Sequence, residues 1–280
     1  MCLPGTQEIV RDRVEREGLP VVTRRSALVG GGSAALASLL VSPAGVVSAA
    51  TRRRRMKDLT HVFRAGFPVY AFEPPSKRTL VTVEDDGFYA QEWTFGEHSG
   101  THMDAPGHFI ADGRLTPQIR PRELMFVPVA VIDISAKAAQ NPDAVVTVRD
   151  LKRFERRHGK IPNRAAVFIY SGWDKKVDDP AAFKNADANG TYHFPGFSSE
   201  AATWLLEHRR ITAIGVDTLS LDPGNSTTFD VHYIILGADR YGLENVANLD
   251  SIPPLGTKAF VGVVPWEEGS GGPARVIAVW

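Results

Sequence analysis

Along most of the chain, short Val- and Ile-rich runs alternate with segments whose apolar residues recur at helical spacing. Val127 to Ile134 is apolar with little interruption, the pattern of a strand covered on both faces. Ala165 to Tyr170 and Thr212 to Thr218 repeat that pattern. Nearer the start, Thr79 to Val83 and Phe88 to Phe95 read as strands from their β-branched and aromatic residues. Closing strands are predicted at Ala259 to Val264 and Arg275 to Val279. Between these lie helices. Val148 to His158 turns Leu151 and Phe154 inward and most of its Arg and Lys outward. Thr147 with Asp150 forms a capping-box pattern before it, and Gly159 with Pro162 supplies the stop. A second helix, capped by Ser198 or Ser199, runs to His208 with Trp204, Leu205 and Leu206 as its expected apolar side. A third, Phe229 to Leu236, carries His232. Strands alternating with helices in this way argue for an α/β layered domain.

The first fifty residues depart from the pattern. Arg24-Arg25 precedes Ser26 to Thr51, a charge-free run rich in Ala, Gly, Val and Ser, and Val47-Ser48-Ala49-Ala50 offers small residues to a signal peptidase. Residues 1–50 therefore read as a twin-arginine-type signal peptide, with export to the periplasm or the exterior. A membrane anchor is the alternative, since the run is long enough to span a bilayer; Gly30-Gly31-Gly32 and Pro43 make it less apolar than most anchors. Cleavage would remove Cys2, the only cysteine, and with it any disulfide framework. Residues 51–280 remain, enough for one sizeable core, and they are read as a single domain. Of the 32 basic and 32 acidic residues, the leader takes five Arg and four acids, leaving 27 against 28. That balance argues against a nucleic-acid partner. Arg52 to Arg55 reads as a solvated, frayed terminus, with contact to anionic lipid as the alternative.

The chemistry concentrates in one stretch. His98-Ser99-Gly100-Thr101-His102-Met103-Asp104-Ala105-Pro106-Gly107-His108 holds three of the eight histidines and a carboxylate. Imidazole and carboxylate are the ligands that Zn²⁺ prefers and Mn²⁺ accepts. His98 and His102 stand four apart, but Gly96, Gly100, Gly107 and Pro106 oppose a helix. The segment reads instead as a strand end running into a tight turn that points His98, His102 and Asp104 at one centre, with His108 at the rim. A single histidine is more often a surface or hydrogen-bonded core residue than a ligand, whereas several converging in a Gly-rich turn are hard to explain as packing.

These residues fit the H-x-G-T-H-x-D-x-P-x-H pattern of the metal-dependent cyclase family at every fixed position, and the chain resembles that family's kynurenine formamidases and isatin hydrolases. Asp58-Leu59-Thr60-His61 and the stretch His232 to Glu244 agree with it. The resemblance implies a swivelling β/β/α fold and a homodimer or larger assembly. It also implies one or two divalent ions, with Asp104 as a bridge and His232 and Glu244 completing the second site. Alone, Glu244 would pass for a solvated carboxylate. The expected reaction is cleavage of an amide C–N bond by a metal-activated water, with His108 as general base and then acid, on an aryl formamide such as N-formylkynurenine or a cyclic amide such as isatin. Histidine's ordinary pKa, close to working pH, suits it to both jobs. A cyclase or dehydratase acting on a carbonyl compound, and a non-catalytic metal-binding envelope protein, are the competing readings. An intact His108 speaks against the second.

Several further residues keep two readings each. His61 either touches the site or, as preferred, makes a structural hydrogen bond. Trp173 either walls a pocket or packs in the core, and Asp174 to His193 reads as a surface excursion or lid. Asp217, at a strand end, either orients a ligand histidine through its free ring nitrogen or caps a turn. His158 reads as a surface residue complementing a helix C-terminus. His193 carries no assignment.

Overall fold

The computed structural model describes residues 15–16 and 55–280; the signal-type run, its cleavage site and Arg52 to Arg54 lie outside the described residues. Among the described residues no helix is long and apolar enough to cross a membrane. The chain divides into two compact units, one comprising Arg54–Ser76 and Thr94–Trp280 and the other taking in Lys77–Trp93.

Among the described residues, twelve strands follow in chain order: β1 (Met56–Asp58), β2 (Ser76–Val81), β3 (Ala90–Thr94), β4 (His102–Asp104), β5 (Val127–Asp133), β6 (Val145–Val146), β7 (Ala166–Tyr170), β8 (Gly196–Phe197), β9 (Ala213–Gly215), β10 (Tyr241–Glu244), β11 (Lys258–Val263) and β12 (Gly271–Val279). The longer helices are α1 (Val148–His158), α2 (Ser199–His208) and α3 (Asp230–Gly237). In the smaller unit, β2 and β3 make a two-stranded sheet, across which Arg78 donates to Glu92 at 2.7 and 2.9 Å.

The larger unit is built on a sheet in the order β1-β12-β11-β5-β7-β9-β10-β4. The four strands β5, β7, β9 and β10 run parallel. Strand β4 closes the sheet on itself. It pairs antiparallel with β10 on one side, Glu244 opposite His102 and Gly242 opposite Asp104, and with Gly271 to Pro273 of β12 on the other. The ring so formed is filled by Met103, Val129, Phe168, Leu243 and Val276. On the other face of the parallel strands, α1, α2 and α3 cover Ile132, Val167, Ile169 and Ile214, whose uninterrupted apolar runs reflect burial on both sides.

The mixed α/β architecture and the principal helices match the expectation. Thr147 and Asp150 form the reciprocal cap of α1, and Ser198 caps α2 through the N–H of Ala201. Two expectations are refined. The fully buried face of α2 is Ala201, Ala202 and Leu205, while Trp204 and Leu206 pack half-buried beside it, and α2 lies against α3 and α1. The segment Asp174 to His193 does run over the surface, exposed at 178–181 and 186–190, but it is anchored: Val177 and Phe183 pack with Phe67, Trp173 and Phe194, and the Trp173 indole donates to the Phe183 carbonyl at 2.7 Å. Arg55 is likewise tied down, exchanging backbone hydrogen bonds with Trp280.

Candidate metal centre and active site

The short strand β4 aims alternate side chains, His102 and Asp104, to the same side, while Met103 enters the core. Register then sets Glu244 of β10 directly across from His102. Helix α3 brings His232 to the same point, and the single 3₁₀ turn Pro106–His108 brings His108. Gly100 holds φ 69°, which turns the chain from His98 into β4. Gly271 is required for a different reason: a Cβ there would meet His98 Cε1 and the Met103 carbonyl, each at 2.5 Å.

All six residues singled out by the sequence converge. His102 Nε2 lies 3.3 Å from both Asp104 Oδ1 and Glu244 Oε2. His232 Nε2 lies 3.2 Å from Glu244 Oε1 and 3.8 Å from Asp104 Oδ2. His98 Nδ1 is 2.6 Å from Asp104 Oδ1, and its ring stacks on His108 at 3.7 Å between centroids. Asp104 thus lies within 4 Å of three of the imidazoles, those of His98, His102 and His232. Ligand-type atoms of His98, Asp104 and His108, and separately of His102, Asp104 and Glu244, lie within 4.8 Å of one another.

Two tests show that these residues fit a divalent cation. First, His102 Nε2 and Asp104 Oδ2 are buried and make no hydrogen bond, although charged partners surround them; the atoms point at a common centre rather than at each other. Second, the charges balance. Asp104 and Glu244 are both buried and both held below the usual carboxylate range, burial being overcome by the neighbouring imidazoles. Burial alone would lower His102 and His232, yet the carboxylates beside them push both up to about 10. Two buried carboxylates need two positive charges, which two imidazolium rings supply and which one divalent ion would supply equally, at the release of two protons.

His108 behaves differently. Burial, with His98 and His232 nearby, outweighs the pull of Asp104 and pushes its ring down to about 4, so it stands neutral rather than near the midpoint that the sequence suggested.

A supporting layer fixes these rings. His102 Nδ1 donates to the Gly100 carbonyl at 3.0 Å, which turns Nε2 towards the centre. Asn245 Nδ2 donates to that same carbonyl at 2.9 Å. Asp222, not Asp217, orients His232: it lies 2.6 Å from Nδ1 and also accepts from the backbone N–H groups of Val231 and His232. Asp217 instead accepts from Ser171 and from the Trp173 N–H, and so ties the end of β7 to the end of β9. Behind His98, Ser270 Oγ sits 3.1 Å from Nε2 and donates to Glu97 at 2.7 Å. His61 keeps its ring against Phe67, its backbone N–H donates to Thr101 Oγ1, and its buried Nε2 has no hydrogen-bond partner among the described residues. Trp173 lies in the core, and His193 pairs with Asp143.

Above the cluster is a cavity of about 230 Å³. Tyr70, Phe72, Phe109 and Phe229 form its apolar wall, and His98, His102, His108, His232 and Glu244 its floor. Phe109 stacks on His232 at 4.5 Å. No sequence pattern pointed to these aromatics, which come from three separate segments.

The family model Cyclase, described as "Putative cyclase", matches residues 57–223. The chain belongs to the Cyclase family. It is 33% identical over 241 residues to an isatin hydrolase from Roseibium aggregatum, covering 79% of this chain and 90% of that protein. A kynurenine formamidase from Erythrobacter litoralis is 26% identical over 209 residues, covering 74% of this chain and 85% of the relative. Among solved structures, isatin hydrolase A from Ralstonia solanacearum superposes with a TM-score of 0.77 at 34% identity, covering 81% of this chain and 92% of that one. An isatin hydrolase bound to the product analogue thioisatinate gives the same TM-score at 31% identity, again covering 81% of this chain and 92% of that one.

Proposed function

We propose that this metal-dependent amidohydrolase of the Cyclase family opens a small, planar cyclic amide of the isatin kind by adding water across its ring C–N bond. The observation that carries the reading is the cavity wall. It presents flat aromatic faces, and no Lys or Arg lines it. N-formylkynurenine bears a free carboxylate and ammonium, which such a wall leaves without countercharge. A neutral aromatic lactam needs none. The volume, about 230 Å³, falls below the range of about 300–1,000 Å³ usual for drug-sized ligands and suits one small fused ring system.

His98, His102 and Asp104 would hold one zinc or manganese ion, and Asp104, His232 and Glu244 a second. When bound, such an ion polarises the amide carbonyl and lowers the pKa of a coordinated water. His108, neutral and at the cavity floor, takes the proton from the attacking water and returns it to the lactam nitrogen as the C–N bond breaks. Stacking against His98 fixes the plane of its ring. The aromatic wall holds the substrate's rings and excludes bulk water. The product is the ring-opened amino-aryl carboxylate.

Elemental analysis of the purified protein, paired with absorbance assays on isatin and N-formylkynurenine with and without chelator, tests this. Chelator-sensitive turnover of isatin with little of the formamide is expected; the reverse preference would transfer the reading to a formamidase. His108→Ala is expected to abolish turnover while bound metal stays unchanged, and loss of metal would make His108 a ligand instead. We propose further that the protein acts outside the cytoplasm, on the strength of Arg24-Arg25 and the apolar run behind it. Cell fractionation with mass determination of the mature chain checks this.

A further inference from the structure

The parallel strands present the metal-ligand cluster at one end, where Glu244 closes β10. Their opposite ends carry a different chemistry. Arg164 stands just before β7, Arg210 just before β9 and Arg240 immediately before β10, while Arg120 and Arg122 lie in the turn leading to β5. With Arg114 they line one cavity of about 610 Å³. Only two carboxylates join them, Glu123 and Asp239, and Arg114 occupies both, at 3.0 Å to each oxygen of Glu123 and 2.6 Å to Asp239. The other five guanidinium groups have no carboxylate partner among the described residues.

Two details separate this cavity from an ordinary solvated surface. Arg240 Nε is buried and makes no hydrogen bond, so a donor is spent on nothing in the protein. Arg164 is held in place from two sides: its N–H donates to the Arg210 carbonyl and its Nη2 to the Arg122 carbonyl, each at 2.5 Å. Arg164 is thereby tied to the backbones of Arg122 and Arg210. Like charges gathered in a concavity raise the local positive potential and concentrate anions there. The chain as a whole has no net charge, so the concentration is local.

We propose that this cavity binds a small molecule carrying two or more phosphoryl groups, at a site separate from the catalytic one. A guanidinium fork matches phosphate oxygens two at a time; with Arg164 Nη2 and Arg240 Nη1 given to backbone carbonyls, the donors left on the five arginines still exceed what a single phosphoryl group accommodates. The cavity's volume lies within the usual range for small-molecule pockets, and its concavity disfavours a flat bilayer. An adjoining groove shares Arg122 and Arg164 and exposes Met125 and Phe126, by 43% and 62%, which gives an organic portion of the ligand an apolar ledge.

The test is calorimetric titration of the full metal-loaded protein with pyrophosphate, beside the double variant Arg210→Gln/Arg240→Gln. One saturable event is expected, weakened by about tenfold or more in the variant, as loss of hydrogen bonds to a charged group predicts. Affinity should also fall with added salt, and amide hydrolysis should not change in the variant. Binding that survives undiminished in the variant would place pyrophosphate on the catalytic ions and overturn the proposal, as would no saturable binding. Should Arg240→Gln impair folding, Arg120→Gln/Arg122→Gln, on an exposed turn, carries the same comparison. Co-sedimentation with phosphatidylglycerol vesicles separates the two sources of phosphate. Arginine-dependent vesicle binding without pyrophosphate binding overturns the small-molecule site in favour of a lipid headgroup.

Discussion

Asp222 sets the direction in which His232 faces, and it does so through three contacts at once: the ring Nδ1 and two N–H groups of the first turn of α3. An imidazole held this way has one rotamer and one tautomer left for a cation. Asp222→Ala should therefore weaken metal affinity by about 10–100-fold, the usual loss when such a partner is removed. Competition against a chromogenic chelator measures this, and unchanged affinity would show that α3 alone positions the ring. Four of the six cluster residues were legible because they sit within eleven positions, where spacing and residue type suffice, whereas His232 and Glu244 were reached only through the family resemblance. Asp222 was not, because its partner stands ten positions on and is brought back by a loop through Pro223, Gly224 and Asn225. By sequence, Asp217 had an equal claim. The aromatic wall escaped for a similar reason: Tyr70, Phe109 and Phe229 look like ordinary apolar residues until the fold brings them together.

At the scale of elements, Asp217 stitches two strand ends. It follows β9 and accepts from Ser171 and Trp173, which follow β7. Burial, reinforced by Asp174, raises its carboxyl to about 7 even against those hydrogen bonds. The folded state then binds a proton that the unfolded chain, with a carboxyl pKa of about 3.9, has already lost. This contribution is fully present below about pH 4, falls as pH rises through the interval up to about 7, and is level above it. Urea titrations at several pH values should show that slope, and Asp217→Asn should flatten it; an unchanged slope would assign it to other groups. Legibility differed among the helices. α1 announced itself because a reciprocal cap and a clean division of Leu151 and Phe154 from the charged residues agree. The face of α2 was read only in part, because bulk was taken as the sign of burial: Leu205 is fully buried and Trp204 and Leu206 are half-buried, while Ala201 and Ala202, small enough to lie wholly inside, were passed over.

For the whole molecule, the deciding feature is the closure of the sheet by β4, three residues long and paired on both edges. A strand so short gives almost no periodic signal, and its partners lie more than a hundred residues away, so the ring was not readable even though the α/β class was. The cluster also joins β4, β10 and α3 through buried charges. A cation bound there stabilises the folded state alone, by about 2.7 kcal/mol at a concentration one hundred times its dissociation constant. Chelation is therefore expected to lower the melting temperature, and added zinc or manganese to restore it; scanning calorimetry decides, and a melting temperature indifferent to chelator would reject a bound structural contribution. The double pairing of β4 has a temporal consequence as well. His102 and Asp104 leave the ribosome long before Glu244, and Gly271 to Pro273 emerge later still. Until those partners follow, the nascent chain carries only part of the ligand cluster, and selective capture of an ion waits for β4 to be paired on both edges.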